Sequence, residues 1–201
     1  MITLYLATSN RGKVREISEL LARFDVSVFP RSPDIAPPVE TGVTLVENAT
    51  IKANYDFEFV EAGAVLADDS GLFVDVLDGA PGVYSSSFGG VEGDDARNRA
   101  ALIDHLRRAN VESSTARFIC VMALKGSSGK VTTFEGVVEG RVHTFERGQF
   151  GFGYDSMFIP NEGDGRTFGE MQSVEKSTIS HRSRALSKLV DAISKDPSLL
   201  S

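Results

Sequence analysis

The chain has 201 residues, with 28 acidic side chains against 21 lysines and arginines, a formal net charge of −7, and 41% hydrophobic residues. That length suits one large or two small lobes with a sizeable core, and the acidic balance argues against a basic face that grips duplex nucleic acid. A small anionic ligand stays open, because it needs only a local cluster of cations.

The lone cysteine, Cys120, permits no intrachain disulfide. MITLYLATSNRGK carries no basic segment before its apolar stretch, and no apolar run reaches membrane-spanning length. The expectation is a soluble cytoplasmic protein with no membrane or nucleic-acid partner.

In chain order, residues 2–7 form an apolar run with β-branched members and read as a buried strand. After Thr8-Ser9-Asn10 the pattern becomes a helical stripe of Val14, Ile17, Leu20, Leu21 and Phe24. Residues 30–38 are a proline-rich loop. Thr44-Leu-Val-Glu47 has the form of a capping box and opens a helix toward Glu61. Residues 64–67 read as a second strand that delivers Asp68 and Asp69, and Gly71 suggests a turn close by.

Residues 79–93 form a glycine-rich connector, and Leu102, Ile103 and Leu106 mark a helix after Asp94 and Asp95. Residues 117–124 and 130–138 shorten toward a period of two, as strands joined by Gly-Ser-Ser-Gly at 126–129. A second glycine-rich loop covers 148–153. Ser180 opens a final helix with Leu186, Leu189, Val190 and Ile193 on one side. The order is mixed α/β without clean alternation, which predicts a mixed sheet split between two lobes.

Cations stand where helices disfavour them. A helix N-terminus carries partial positive charge, yet Arg11 and Lys13 follow Ser9-Asn10, and His181, Arg182 and Arg184 follow Ser180, with Lys176 just upstream. Such side chains can curl into solvent. Two such helices instead suggest anion sites built from N–H groups, dipole and cations. TSNRGK at 8–13 has neither the glycine spacing nor the following Ser/Thr of a Walker A loop. Lys52, one turn beyond Asn48, is a further candidate cation, or it pairs at the surface with Glu47 or Glu58.

Phosphates at helix ends usually bring a hard cation held by oxygen ligands. Asp68, Asp69 and Glu40 are the candidates, while the capping role accounts for Glu47. Neighbouring strand residues face opposite sides, so both aspartates reach one metal only if the strand has broken there. Alone, an Asp pair at a turn more often caps it than performs catalysis. GQFGFGYDSMF at 148–158 offers Phe150, Phe152 and Tyr154 as flat faces for a nucleobase, with Asp155 as a polar contact. Taken alone, such a loop is more often a β-bulge or tight turn whose aromatics are core.

TSNRGK at 8–13, ETG at 40–42, the ENA–K pattern at 47–52, ADDSGL at 67–72, GAPGVYS at 79–85, FGYD at 152–155 and EKSTISHR at 175–182 stand in a particular order and spacing. Together they resemble the inosine/xanthosine triphosphate pyrophosphatases (Ham1-like), from Leu4 to about Val190. The resemblance implies one α/β domain over residues 1–201, an elongated mixed sheet with two lobes around a central cleft, and a homodimer. It implies Mg²⁺-dependent hydrolysis of ITP, dITP or XTP to the monophosphate and pyrophosphate.

Under that resemblance Thr8, Ser9, Asn10, Arg11, Gly12 and Lys13 bind the triphosphate, with help from Lys52. Asp69 is the general base and metal-linked carboxylate, Glu40 a second metal ligand, and Asp68 a supporting group or outer ligand. Ser70 contacts substrate, and Phe152, Gly153, Tyr154, Asp155, Lys176, His181 and Arg182 surround base and sugar. Arg182 and His181 are the expected donors to a C6 carbonyl. The chain departs from the family pattern at Ser87, where an arginine is common, at Ser156 in place of proline, and at Ser183 in place of glycine.

Overall fold

The structure is a computed structural model that describes residues 2–22 and 26–200. Phe24, expected at the end of the first helical stripe, lies outside the described residues. Strand β1 (Ile2–Leu6), helix α1 (Arg11–Leu21) and strand β2 (Val26–Pro30) form a parallel βαβ unit, with Leu4 paired to Val28.

Sequence reading assigns no strand to Val26–Pro30. The reason is its place at the sheet edge, where none of its residues is fully buried and no alternating apolar face is required. Pro30 is tolerated at the end of such an edge strand because its missing N–H breaks no interior ladder.

Helix α2 (Leu45–Phe57) begins on the expected capping box. Thr44 Oγ1 accepts from the Glu47 N–H at 3.2 Å, and Glu47 Oε2 accepts from the Thr44 N–H at 3.1 Å. The helix ends at Phe57 rather than near Glu61. Its last turn tightens, with the N–H groups of Glu58, Phe59 and Val60 donating to carbonyls three residues back. Thr44→Ala is expected to cost about 1 kcal/mol of stability, measured as a lowered urea midpoint with unchanged slope.

Strand β3 (Ala64–Val74) runs unbroken through Asp68, Asp69 and Gly71, so the turn expected at Gly71 does not occur. Gly71 is instead a close-approach position, where an added Cβ would collide with the Gly82 carbonyl. Helix α3 (Asp95–Arg108) is capped by Asp94, whose Oδ1 accepts from the Arg97 N–H at 3.0 Å. Strands β4 (Ser113–Lys125) and β5 (Val131–His143) are sheet neighbours joined by a turn in which the Gly129 N–H donates to the Gly126 carbonyl at 3.1 Å. A short β6 (Phe158–Pro160), to which sequence reading assigns no strand, pairs antiparallel with β5. Helices α4 (Ser173–Lys176) and α5 (His181–Lys195) follow.

The six-stranded sheet has the order β2-β1-β3-β4-β5-β6. Strand β1 is parallel to both neighbours and β5–β6 is antiparallel, which gives the expected mixed α/β architecture. The chain divides into two compact units. The first comprises Met1–Asp69, Cys120–Gly136 and Arg182–Ser201, and its core is built on Leu4, Leu6, Ile17, Leu66, Met122 and Leu186. The second comprises Ser70–Ile119 and Val137–His181, with Leu72, Leu102, Phe118, Phe158 and Phe168 at its centre. Among the described residues no helix is long and apolar enough to cross a membrane.

Candidate active site

In the first unit the two aspartates of β3 are shared between different cations. Asp68 meets Lys13 Nζ at 3.0 Å and the Arg182 guanidinium at 3.5 Å, and its side chain is 0% exposed. Asp69 Oδ1 accepts from Lys52 Nζ at 2.8 Å, and Glu40 Oε2 lies 3.3 Å from the same ammonium. The division follows from the pleat: consecutive strand residues point to opposite faces. Asp68 turns toward α1 and α5, and Asp69 toward α2. Lys52 therefore pairs inward with Asp69 and Glu40, not at the surface with Glu47 or Glu58.

Glu40 is delivered by a clamp between two of the sequence motifs. Buried Asn48 on α2 accepts from the Gly42 N–H at 2.8 Å, and Glu47 Oε2 accepts from the Val43 N–H at 2.7 Å. Any Cβ at Gly42 would stand 2.6 Å from Asn48 Oδ1, so only glycine lets the loop sit this close to the helix. At the other end of the same loop, Arg31 holds buried Asp56 of α2 through Nε at 2.8 Å and a second nitrogen at 2.5 Å.

The turn at 8–13 is organised by Asn10 rather than Ser9. Asn10 Oδ1 accepts from the Gly12 N–H at 2.9 Å and the Lys13 N–H at 3.1 Å, and Thr8 Oγ1 accepts from the Asn10 N–H at 3.2 Å. Ser9, Asn10 and Arg11 are exposed, while Lys13 is drawn inward to Asp68.

Arg182 is 1% exposed and is held by Glu16 of α1 and by Asp68. Burial alone would lower its pKa, but Glu16 and Asp68 raise it above the ordinary value. Burial likewise works against the Asp68 carboxylate, yet Lys13, Arg182 and Lys52 hold its pKa well below the usual range. Burial also pulls the Lys52 ammonium down, and Asp69, Asp68 and Glu40 more than offset it.

Asp69 Oδ2 is buried without a hydrogen-bond partner among the described residues. A buried carboxylate oxygen in that state is costly and demands a donor or a cation. Asp69 and Glu40 supply the hard oxygen donors that a divalent cation takes. Among the described residues no group of ≥ 3 His, Cys, Asp or Glu side chains is arranged for a metal. The donor set therefore fits an ion that draws its remaining ligands from water and a bound anion, as Mg²⁺ does.

The second unit carries an aromatic and charged cluster. Lys176 and Asp155 form a buried pair at 2.7 Å, and Asp155 Oδ2 also accepts from the Phe152 N–H at 2.8 Å. The Lys176 ammonium lies 5.1 Å from the Phe152 ring centre and 5.6 Å from that of Phe168. An added Cβ at Gly151 would run into Asp155, and Gly153 adopts a φ of +61° that suits glycine.

Phe152 is half-buried, but Tyr154 belongs to the core and donates its hydroxyl to the Ser85 carbonyl at 2.8 Å. For Tyr154 the structure thus shows the core placement that the loop's sequence left open. Burial first, then Asp95, pushes the Tyr154 hydroxyl pKa up.

His181 stacks on Phe118 with ring centres 4.8 Å apart and planes at 13°. His181 and Arg182, adjacent in sequence, thus have contacts in different units, because successive helix residues point about 100° apart. Ser70 is half-buried on β3 directly after Asp69.

Sequence reasoning missed Glu16, Asn48, Phe118 and Phe168. Glu16 alone on a helix reads as a solvated acid, and Phe118 and Phe168 as ordinary core. Asn48 stood inside the ENA–K motif and carried the one available signal.

The fold and these two clusters define an α/β protein with a buried carboxylate–ammonium centre in its first unit and an aromatic–lysine cluster in its second. The Ham1 family model matches residues 4–192, and the chain belongs to that family. A dITP/XTP pyrophosphatase of Mannheimia succiniciproducens is 44% identical over 191 residues, covering 92% of this chain and 95% of the relative. One from Haemophilus influenzae is 43% identical over 189 residues, covering 92% and 96%. Among solved structures, a HAM1 protein from Coxiella burnetii superposes with a TM-score of 0.83 at 36% identity, covering 97% of this chain and 100% of that one. A nucleoside-triphosphatase/dITP/XTP pyrophosphatase from Mycobacterium abscessus gives 0.71 at 36% identity, covering 94% and 98%.

Proposed function

We propose that this chain hydrolyses purine nucleoside triphosphates outside the standard set (ITP, dITP, XTP) to the monophosphate and pyrophosphate, removing damaged purines from the nucleotide pool. The names of the relatives support the reaction. The observation that carries it is Asp69: one oxygen is fixed by Lys52, and the other is buried with no hydrogen-bond partner among the described residues.

Asp69 and Glu40 would hold Mg²⁺, with Asp68 as a supporting group or outer ligand that sets Lys13. When bound, the ion polarises phosphate oxygens and lowers the pKa of a coordinated water. Asp69 orients an attacking water and accepts its proton. Lys13 and Lys52, with the turn from Thr8 to Gly12, neutralise charge that builds on the departing pyrophosphate. Ser70 lies beside Asp69 as a substrate contact.

Phe152 stacks on the base. A C6 carbonyl accepts from a donor where the adenine amino group cannot, and Arg182 and His181 are the donors, with Lys176 beside the base and sugar. Gly153 and Asp155 shape the loop. A single cysteine, Cys120, in the sequence suits the cytoplasm. The homodimer rests on the resemblance described above.

Pyrophosphate release from ITP, dITP, XTP, dUTP, GTP and ATP, with and without Mg²⁺, tests the reading. The expected result is release from ITP, dITP and XTP at least about a hundredfold above ATP, abolished by EDTA. Release from none of them would mark a nucleotide-binding module, and release mainly from dUTP a pyrimidine enzyme.

A further inference from the structure

The loop that carries Phe152 is held from outside by side chains with no role so far. The Gly153 N–H donates to Asp95 Oδ2 at 2.7 Å, and the Gly153 carbonyl accepts from an Arg99 terminal nitrogen at 3.0 Å. Asp95 and Arg99 are four residues apart on α3 and so share a face. Both hydrogen-bonding groups of one residue are therefore fixed by a single helix. Arg99 Nε also donates to Glu146 Oε2 at 2.7 Å, and Ser156 Oγ donates to the same oxygen at 3.1 Å. Glu146 and Ser156 flank the loop on either side. Ser156 stands where the family pattern has proline, and its hydroxyl adds a tie that proline lacks.

Gly153 has open space where a Cβ would be, so its glycine serves the positive φ and packs against nothing. A residue with that backbone freedom needs outside contacts to stay in one conformation. The planar guanidinium supplies them, because its fork reaches a carboxylate and a carbonyl together, which a lysine ammonium does not reproduce.

We propose that Arg99, with Asp95 and Glu146, is a positioning residue for base recognition. It pins the Gly153 peptide and thereby sets the Phe152 ring and the Asp155–Lys176 pair next to it. The proposal rests on the reading of Phe152 as the ring that stacks on the base.

The test compares Arg99→Ala and Arg99→Lys with the parent enzyme, using Phe152→Ala as a reference. For Arg99→Ala, KM for ITP should rise about tenfold, the loss of a charged hydrogen bond, with kcat largely kept. Inhibition by IMP should weaken equally, and inhibition by inorganic tripolyphosphate should not change. Amide exchange at residues 151–155 should accelerate in Arg99→Ala and, to a smaller extent, in Arg99→Lys.

Unchanged exchange and unchanged IMP inhibition in both variants would overturn the proposal. So would equal weakening of IMP and tripolyphosphate, which a general structural defect produces. If Phe152→Ala leaves IMP inhibition intact, the base-stacking reading fails. If Phe152→Ala weakens IMP while the Arg99 variants bind it normally, only the brace fails.

Discussion

Asp69→Asn is expected to lower pyrophosphate release by about a thousandfold while the protein stays folded. Asparagine keeps the size of the side chain and an oxygen that can accept from Lys52, now at 2.8 Å from Asp69 Oδ1. It loses the charge needed to hold a cation and the lone pair needed to take a proton. Lys52 should remain an ammonium in the variant. Burial works against its charge, but Asp68 and Glu40 still favour it after the Asp69 charge is gone. Single-turnover release from ITP at saturating Mg²⁺, beside a thermal melt, separates chemistry from folding. A fully active Asp69→Asn enzyme would remove Asp69 from the reaction.

Arg182→Ala is expected to destabilise the protein by about 3–5 kcal/mol, the usual result of breaking a buried ion pair from one side. The guanidinium, 2% exposed, lies against Glu16 and an Asp68 side chain that is 0% exposed. Removing it takes a cation away from two carboxylates with little access to water. The same variant has a pH signature.

Lys13, Arg182 and Lys52 outweigh burial and keep the Asp68 pKa low in the folded state. Against an unfolded value of about 3.9, the unfolded chain then binds the proton more readily. The stability that Asp68 contributes is therefore complete above the unfolded value and is lost as pH falls toward the folded one. Without Arg182 the depression shrinks, and that contribution is smaller at neutral pH. Urea unfolding at neutral pH and near pH 3 measures both effects. A neutral-pH loss under about 1 kcal/mol, typical of an exposed pair, would show that the cluster is solvated.

Much of the scaffold was legible from neighbouring residues. Thr44 and Glu47 satisfy each other within one turn, and Asp94 caps α3 three residues ahead of Arg97, so the signals lie within a short stretch of chain. The apolar run before Asp68 reads as a strand because burial on both faces needs no alternation. Val26–Pro30 was illegible for the opposite reason, since an edge strand without a buried face carries no pattern. Gly71 misled because a glycine required by close packing and one required by a turn look the same in a sequence.

The site shows the same division. Motif by motif, the chain announced Lys13, Lys52, Glu40 and the aspartates. It did not say that Asp68 belongs with Lys13 and Arg182 while Asp69 belongs with Lys52, nor that Tyr154 and Arg182 turn inward.

What the sequence determined by itself was local: caps, strands, the glycine positions and an inventory of cations and carboxylates, each set by atoms within a turn or two along the chain. Which charge meets which was decided by tertiary packing. Lys52 and Asp69 are 17 residues apart, and Arg182 and Glu16 are 166 apart. The pleat of β3 sends adjacent aspartates to opposite faces, and the helices packed on each face choose their partners. That choice leaves one Asp69 oxygen held by a lysine and the other buried with no hydrogen-bond partner among the described residues.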